Sequence, residues 1–314
     1  MLSRMRGDRW RMTADERQMT KDERRMTVAA QLDPSSFVVR LSGDAFFLAI
    51  QIVGVAAFAY PFVSPQIVTG EATARSSDAP IILGVTLVAL FAALGTLRLN
   101  AKRIAVLGVL CAINAVLRLA ETLILPLPGG FSPVFLLVML VGYAYGARFG
   151  FLFGAFSLLT SAIATGGVGP WLPFQMFGAG WIGLTAGALG QLRMKNAELR
   201  KSDSSFFILH SKFDSVLLLP FGFLWGFLYG AILNLYFWPL VDAGAGMSWQ
   251  AGLGVGNALA RYAAFYATTS LWWDTASAIG NVLLLAWLGL PVLRALRRFG
   301  ARFQFEVQPV FARE

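Results

Sequence analysis

Long apolar runs constrain this chain more than any other feature. A helix needs about twenty mostly apolar residues to cross roughly 30 Å of hydrocarbon. Only 14% of the 314 residues are charged, against about 25% in soluble domains. The sequence therefore predicts an all-α integral membrane protein with about eight transmembrane helices. The predicted spans run approximately over 44–63, 80–97, 103–122, 131–147, 149–166, 171–190, 214–239 and 276–296.

A ninth apolar stretch, 253–271, carries Asn257 and Arg261 near its middle. Lys and Arg close to the ends of spans favour the cytoplasm. With eight spans and both termini inside, all of the 26 Lys and Arg fall on cytoplasmic segments except Arg75, Arg118 and Arg261. Counting the ninth stretch as a crossing would move the C-terminal arginines outside. We therefore predict that it is an interfacial or re-entrant segment on the outer face.

The first forty residues, 1–40, are polar and basic, and they lack the apolar periodicity that a folded core requires. We expect them to form a disordered cytoplasmic tail. Residues 14–20 and 21–27 form a tandem seven-residue repeat. Our hypothesis is that this repeat is a low-complexity leader and that Met26 is the true start.

Histidine and cysteine, on which metal and nucleophilic sites mostly draw, occur once each. The chain also lacks a Walker run and a Gly-x-Ser-x-Gly elbow. We assign His210 no role and expect Cys111 to be a buried small apolar residue. The sequence thus predicts no catalytic residue, no metal and no cofactor. Because the positive charge lies on cytoplasmic segments, we also expect no nucleic-acid partner.

Arg118 and Glu121 are three residues apart near the outer end of the third span, so they share one helical face. An Arg at the centre of a span costs about 2.5 to 3.5 kcal/mol, which means that the pair needs a reason. Two readings stay open. The residues form an ion pair that snorkels to the headgroups, or they face a substrate beneath an outer loop.

Further aromatic and polar residues lie near the outer ends of the other spans. On one reading, the tryptophans among them form an aromatic belt at the membrane interface. On the other, the group supplies stacking faces and oriented polar atoms to a small-molecule pocket that opens outward. The residues are Trp171, Gln175, Asn234, Tyr236, Trp273, Asp274 and Asn281.

The third span also carries small residues at spacings of three and four. They are Ala105, Gly108, Ala112 and Ala115. Pairs such as Gly108 and Ala112 let two membrane helices approach backbone to backbone. By themselves such pairs favour internal packing.

Several stretches, taken in order, are similar to one known family. They are Ala105 to Arg118, Phe131 to Phe135, Gly142 to Gly146, Gly150 to Gly154, the Gly169-Pro170-Trp171 run with Gln175, and Ala267 to Asp274 with Gly280-Asn281. Together they resemble the substrate-binding S component of energy-coupling factor (ECF) vitamin transporters. The resemblance covers about two-thirds of the chain.

The resemblance implies a six-helix S-component-like core over 101–302, preceded by two extra transmembrane helices over 41–100 and followed by a cytoplasmic tail over 303–314. The vitamin would bind near the outer face. Gly108 and Ala112 would contact the transmembrane coupling (T) subunit, and two ATPase subunits would complete a transporter in the cell inner (plasma) membrane. The longer form resembles the branch proposed to take up cobalamin or its precursors, with thiamine-type vitamins and riboflavin as the next expectations.

Two alternatives come from other classes of protein. A membrane enzyme acting on lipid or prenyl substrates would use Glu121 and Asp274 as paired acids, which requires the two carboxyl groups to lie at a suitable separation. A structural membrane protein would instead leave Arg118, Trp171 and Asp274 dispersed on lipid-facing surfaces.

Overall fold

The structure is a computed structural model, and it describes residues 34–63, 75–96, 101–123, 132–199, 206–244 and 246–302. The seven-residue repeat, Met26 and the predicted tail 303–314 lie outside this part. By their contacts the residues divide into two units, Met1–Phe47 and Leu48–Glu314. Of the first unit, the structure describes the beginning of one helix. The second holds the rest of that helix and all the other helices.

All regular structure in the described ranges is helical, which confirms the predicted all-α class. A 3-10 turn, Trp238–Leu240, closes the seventh helix, and a π-helical turn, Leu285–Gly289, makes the last two helices continuous. The helices are α1 Pro34–Val63, α2 Arg75–Thr96, α3 Ala101–Leu123, α4 Pro133–Tyr145, α5 Ala147–Thr165, α6 Leu172–Leu199, α7 Phe206–Phe237, α8 Val255–Thr269, α9 Leu271–Leu284 and α10 Leu290–Arg302.

Several helices in the described part are long and apolar enough to cross a membrane, so the chain is a multi-pass membrane protein. Five such stretches are Gly43–Val63, Ala101–Thr122, Ala147–Thr165, Asp214–Leu240 and Leu271–Ala301. Pro80–Gly95 and Pro133–Tyr145 are apolar but shorter, and α6 falls in neither set. The predicted number of eight spans is therefore not confirmed.

Two boundaries differ from the sequence predictions. Helix α1 begins at Pro34, inside the segment predicted to be a tail, because proline suits the first turn of a helix. Most of the stretch 191–213, between the predicted spans 171–190 and 214–239, is helical, since α6 continues to Leu199 and α7 begins at Phe206. Helix α8 has 15 residues, or about 22 Å, which is shorter than the roughly 30 Å of hydrocarbon that a span crosses.

Helices α4, α5 and α6 pack backbone to backbone through glycine. A Cβ added at Gly142 or Gly150 would overlap the carbonyl oxygen of Gly183, and one added at Gly183 would overlap that of Gly150. One added at Gly190 would overlap the carbonyl oxygen of Tyr143. Small residues permit such close crossings in membrane helices, where packing replaces the hydrophobic drive for association.

A second close crossing joins α7 to α9. Gly226 lies against the backbone of Ala278, and Gly230 lies against the carboxylate of Asp274. The two glycines are four residues apart on α7, and their partners are four apart on α9, so one face of each helix meets the other. This crossing fixes the direction in which Asp274 points.

The two N-terminal helices, α1 and α2, pack against α5 and α6. Gly54 of α1 lies against the ring of Phe177, and Phe58 meets Phe174 edge to face with ring centroids 5.1 Å apart. Phe91 of α2 meets Phe156 of α5 at 5.5 Å. These contacts cover parts of α5 and α6.

Candidate functional site

The predicted pair on α3 is present in the structure. Arg118 Nη1 lies 3.1 Å from Glu121 Oε1, and the hydroxyl of Ser132 donates to Glu121 Oε2 at 2.8 Å. The Arg118 side chain is 40% exposed and that of Glu121 is 15% exposed. The ion pair is thus confirmed and tied to the start of α4. Its contact with a substrate stays a prediction.

Tyr229 of α7 contacts both α4 and α6. Its ring lies 4.6 Å from that of Phe135 on α4, and a Cβ at Gly178 of α6 would be 3.0 Å from it. The positive charge of Arg118 acts electrostatically on the Tyr229 hydroxyl. Sequence reasoning passed over Tyr229, although a tyrosine inside an apolar span was a signal.

Three other predicted residues lie at the beginning of α6 and the end of α7. The Trp171 indole N–H donates to the carbonyl of Gly167 at 3.2 Å, and the Trp171 side chain is exposed. Gln175 is half-buried. Tyr236 stacks on Phe174 with ring centroids 3.9 Å apart and ring planes within 2°. Phe58 of α1 also contacts Phe174, so helix α1 packs against this stack.

The remaining predicted polar residues lie along the contact of α7 with α9. Asn234 donates to the hydroxyl of Ser270 at 2.6 Å, and Asn281 donates to the carbonyl of Gly222 at 3.0 Å. Asp274 is buried and accepts a hydrogen bond from the Tyr266 hydroxyl at 2.7 Å.

The neighbouring Trp273 is 55% exposed on the other side of α9. The predicted residues therefore fall into three groups and a surface set. One group pairs Arg118 with Glu121, the second lies at the contact of α6 with α7, and the third lies at the contact of α7 with α9. The surface set holds Trp171 and Trp273.

Segment 241–270, the predicted outer segment, is hydrogen-bonded to α7, to the turn that closes α7, and to α9. Trp238 donates to the carbonyl of Met247 at 2.7 Å, and the Tyr262 hydroxyl donates to the carbonyl of Ala231. Burial and the neighbouring carboxylate of Asp274 raise the pKa of Tyr266. This tyrosine therefore stays protonated and donates to Asp274.

A buried charge cluster, which sequence reasoning missed, lies around Asp214 at the other end of α7. Arg193 Nε of α6 lies 2.7 Å from its carboxylate, Arg297 of α10 lies 2.8 Å away, and the hydroxyl of Tyr143 on α4 donates to it at 2.7 Å. The Asp214 side chain is 1% exposed. Its contacts join four helices and satisfy both carboxylate oxygens, so the arrangement is structural.

The acids of the alternative enzyme hypothesis have separate partners. Glu121 is bonded to Arg118 and Ser132, whereas Asp274 is bonded to Tyr266. Among the residues that the structure describes, no group of three or more His, Cys, Asp or Glu could hold a metal ion.

The small residues of α3 divide between its two faces. Ala105, Gly108 and Ala112 are exposed, and an added Cβ at Gly108 would meet nothing within 4 Å. Ala115 and Cys111 are buried on the opposite side, which confirms the prediction for Cys111. The described part of the chain thus leaves one small-residue face of α3 uncovered.

These features describe a multi-pass helical protein with polar groups at both ends of its helices. Residues 102–292, more than half of the chain, match the family model of the ECF transporter substrate-specific component, and the chain belongs to this family. The predicted resemblance is confirmed. The family is a transporter component and not an enzyme. Neither the curated proteins nor the solved structures gave a match.

Proposed function

We propose that this substrate-specific subunit captures a vitamin on the outer side of the plasma membrane and passes it inward. ATP hydrolysis in two partner ATPase subunits drives the transfer. The first candidate is cobalamin or a related corrinoid, followed by thiamine or its pyrimidine precursor and then riboflavin. The chain itself performs no chemistry.

The Arg118–Glu121 pair is the observation that carries this proposal. A guanidinium group has five N–H donors, and the contact with Glu121 engages one of its terminal nitrogens. Arg118 is half-exposed and lies within electrostatic range of the half-buried Tyr229. A polar ligand at this end of α3 would therefore find charged donors next to an aromatic face.

Charge placement supports the orientation. Asp214 and Tyr229 are fifteen residues apart on α7, or about 22 Å along its axis, so the buried charge cluster and the Arg118–Glu121 pair occupy opposite ends of the helical core. Arg193, Arg294 and Arg297 lie near the Asp214 end of their helices. Arginines favour the cytoplasmic side, so this placement supports an orientation with both termini inside and the Arg118 end outside.

The uncovered face of α3 supports the coupling role. Gly108 and Ala112 are one turn apart on it, and the two N-terminal helices contact α5 and α6 instead. A helix of the transmembrane coupling subunit could approach this face backbone to backbone.

A thermal-shift screen of the purified full-length chain tests the proposal, with cyanocobalamin, thiamine and riboflavin as separate probes. We expect one probe to raise the melting temperature of the wild type. Arg118→Ala should weaken the binding of that probe roughly tenfold or more, because it removes a charged donor. Arg294→Ala, which removes an exposed arginine of α10, is the matched control and should bind as the wild type does. Failure of all three probes, or equal binding by Arg118→Ala, would contradict the proposal.

Orientation needs its own measurement. Trp272 is 81% exposed, so Trp272→Cys in a Cys111→Ala background provides one reactive thiol at the predicted outer end of α9. We expect an impermeant maleimide to label it in intact cells. Labelling only after the cells are opened would place this end inside and reject import from outside.

A further inference from the structure

Asn114, in the middle of α3, is a buried amide without a partner. Its side chain is 0% exposed. Neither its nitrogen nor its oxygen has a hydrogen bond within the part of the chain that the structure describes. Buried polar groups are nearly always paired, so an amide that lacks both partners requires an explanation.

Its place on α3 relates it to the Arg118–Glu121 pair. Arg118 follows Asn114 by four residues and Glu121 by seven, so all three lie on one face of the helix. At 1.5 Å per residue, Asn114 is about 6 Å deeper than Arg118 and about 10 Å deeper than Glu121. Together they form a row of polar groups that begins at the exposed ion pair and ends at the buried amide.

Helix α5, which meets α3 one turn below Asn114, also carries buried polar side chains. Cys111 lies one turn deeper, where its sulfur is 3.9 Å from the hydroxyl of Ser157 on α5. Ser157 is fully buried, and Ser161, one turn further along α5, is also buried. Packing alone would favour apolar residues at such positions.

We infer that Asn114 is a ligand-contacting residue, at the deep end of the site that begins at Arg118. This inference rests on the proposed function. A carboxamide offers a donor next to an acceptor, so the group that it recognises presents an acceptor next to a donor. Primary carboxamides, aminopyrimidines and pyrimidinediones have such an edge, and the three probe vitamins each carry one of these groups.

Two melting temperatures, with and without ligand, test the inference on the full-length protein. Asn114→Leu keeps the side-chain volume and removes the amide. Without ligand, it should melt at or above the wild-type temperature, because no bond is lost and an unpaired polar group is removed. With the probe that stabilises the wild type, the affinity should fall roughly tenfold or more. Asn257→Leu, at an exposed position of α8, should change neither value.

The outcomes separate this inference from the proposed function. A ligand-free melting temperature of Asn114→Leu below that of the wild type would show that the amide has a structural partner, such as a bound water, and would overturn the inference. Unchanged vitamin affinity would overturn it as well. If no probe stabilises the wild type, the importer proposal fails. The ligand-free melting temperatures of the wild type and Asn114→Leu still test whether the Asn114 amide is unpaired.

Discussion

Two small-residue faces of this protein have similar sequence patterns but opposite surroundings. Between α4, α5 and α6, an added Cβ at Gly150 or Gly183 would overlap the backbone of the facing helix. On α3, an added Cβ at Gly108 would meet nothing within 4 Å, and Ala112 is exposed. The first face is closed within the chain, whereas the second is open.

The comparison distinguishes glycines that pack against another helix of this chain from glycines that remain exposed for contact with another subunit. Close backbone packing in a membrane contributes to stability only where a facing helix is present. Gly183 has such a helix, and Gly108 has none in the described part of the chain. Glycine within a helix interior costs roughly 1 kcal/mol relative to alanine, so an uncovered glycine on α3 has a cost that internal packing does not offset.

A substitution in the buried charge cluster around Asp214 should lower the stability of the protein most. Asp214→Ala leaves Arg193 buried without its carboxylate, and breaking such a pair costs about 3 to 5 kcal/mol. The Arg297 contact adds less, because the Arg297 side chain is 41% exposed. We expect the melting temperature to fall strongly. Asp242→Ala, at an exposed aspartate of the outer segment, is the control, and equal melting of the two variants would show that the cluster does not hold the helices together.

Gly183→Ala tests the closed face directly. The new methyl group would overlap the Gly150 carbonyl, so α5 and α6 would have to separate, at about 1 to 3 kcal/mol. Gly108→Ala makes the same chemical change on the open face and should raise the unfolding free energy by up to about 1 kcal/mol, because alanine removes the helix cost of glycine without meeting a neighbour. Thermal unfolding of both variants in the same detergent gives the comparison. If Gly108→Ala is as destabilising as Gly183→Ala, the two faces do not differ as described.

Sequence patterns predicted parts of this comparison and left others open. The apolar runs located most of the helices, and the spacing of Arg118 and Glu121 predicted their ion pair. The small residues of α3 gave no sign that Ala115 faces inward while Ala112 faces outward, because that depends on where α5 lies. Asp214 sat at the edge of an apolar run, and nothing local linked it to partners on three distant helices.

The site residues at the α7–α9 contact show the same limit. Asp274 was predicted from its place beside the last predicted span and Asn281 from its polarity within that span, which indicates a need for partners but not their identity. The partners, Tyr266 and the Gly222 carbonyl, come from another helix or from the outer segment. Only packing of the whole chain reveals that Asp274 lies against Gly230 while the adjacent Trp273 is exposed.

Tyr266→Phe should give the smallest stability effect and sharpen the contrast between two buried aspartates. Asp274 loses one hydrogen bond, which costs about 1 kcal/mol, and the tie between α8 and α9 weakens. The unfolding free energy should therefore change far less than in Asp214→Ala. Thr275→Val, which removes a half-buried hydroxyl bonded to the Leu271 carbonyl of the same helix, serves as a control. An effect as large as that of Asp214→Ala would mean that the outer segment, too, carries the stability of the fold.

Assembly of the transporter is the most direct test of the account. The tagged chain is co-expressed with the transmembrane coupling subunit and the two ATPase subunits, and the co-purified subunits are quantified. Gly108→Leu should lose the coupling and ATPase subunits while melting and binding vitamin as the wild type does. Gly84→Leu on α2, also a helical glycine with nothing within 4 Å, should retain them. Retention of the partners by Gly108→Leu at the wild-type level would contradict the claim that the open face of α3 is the coupling surface.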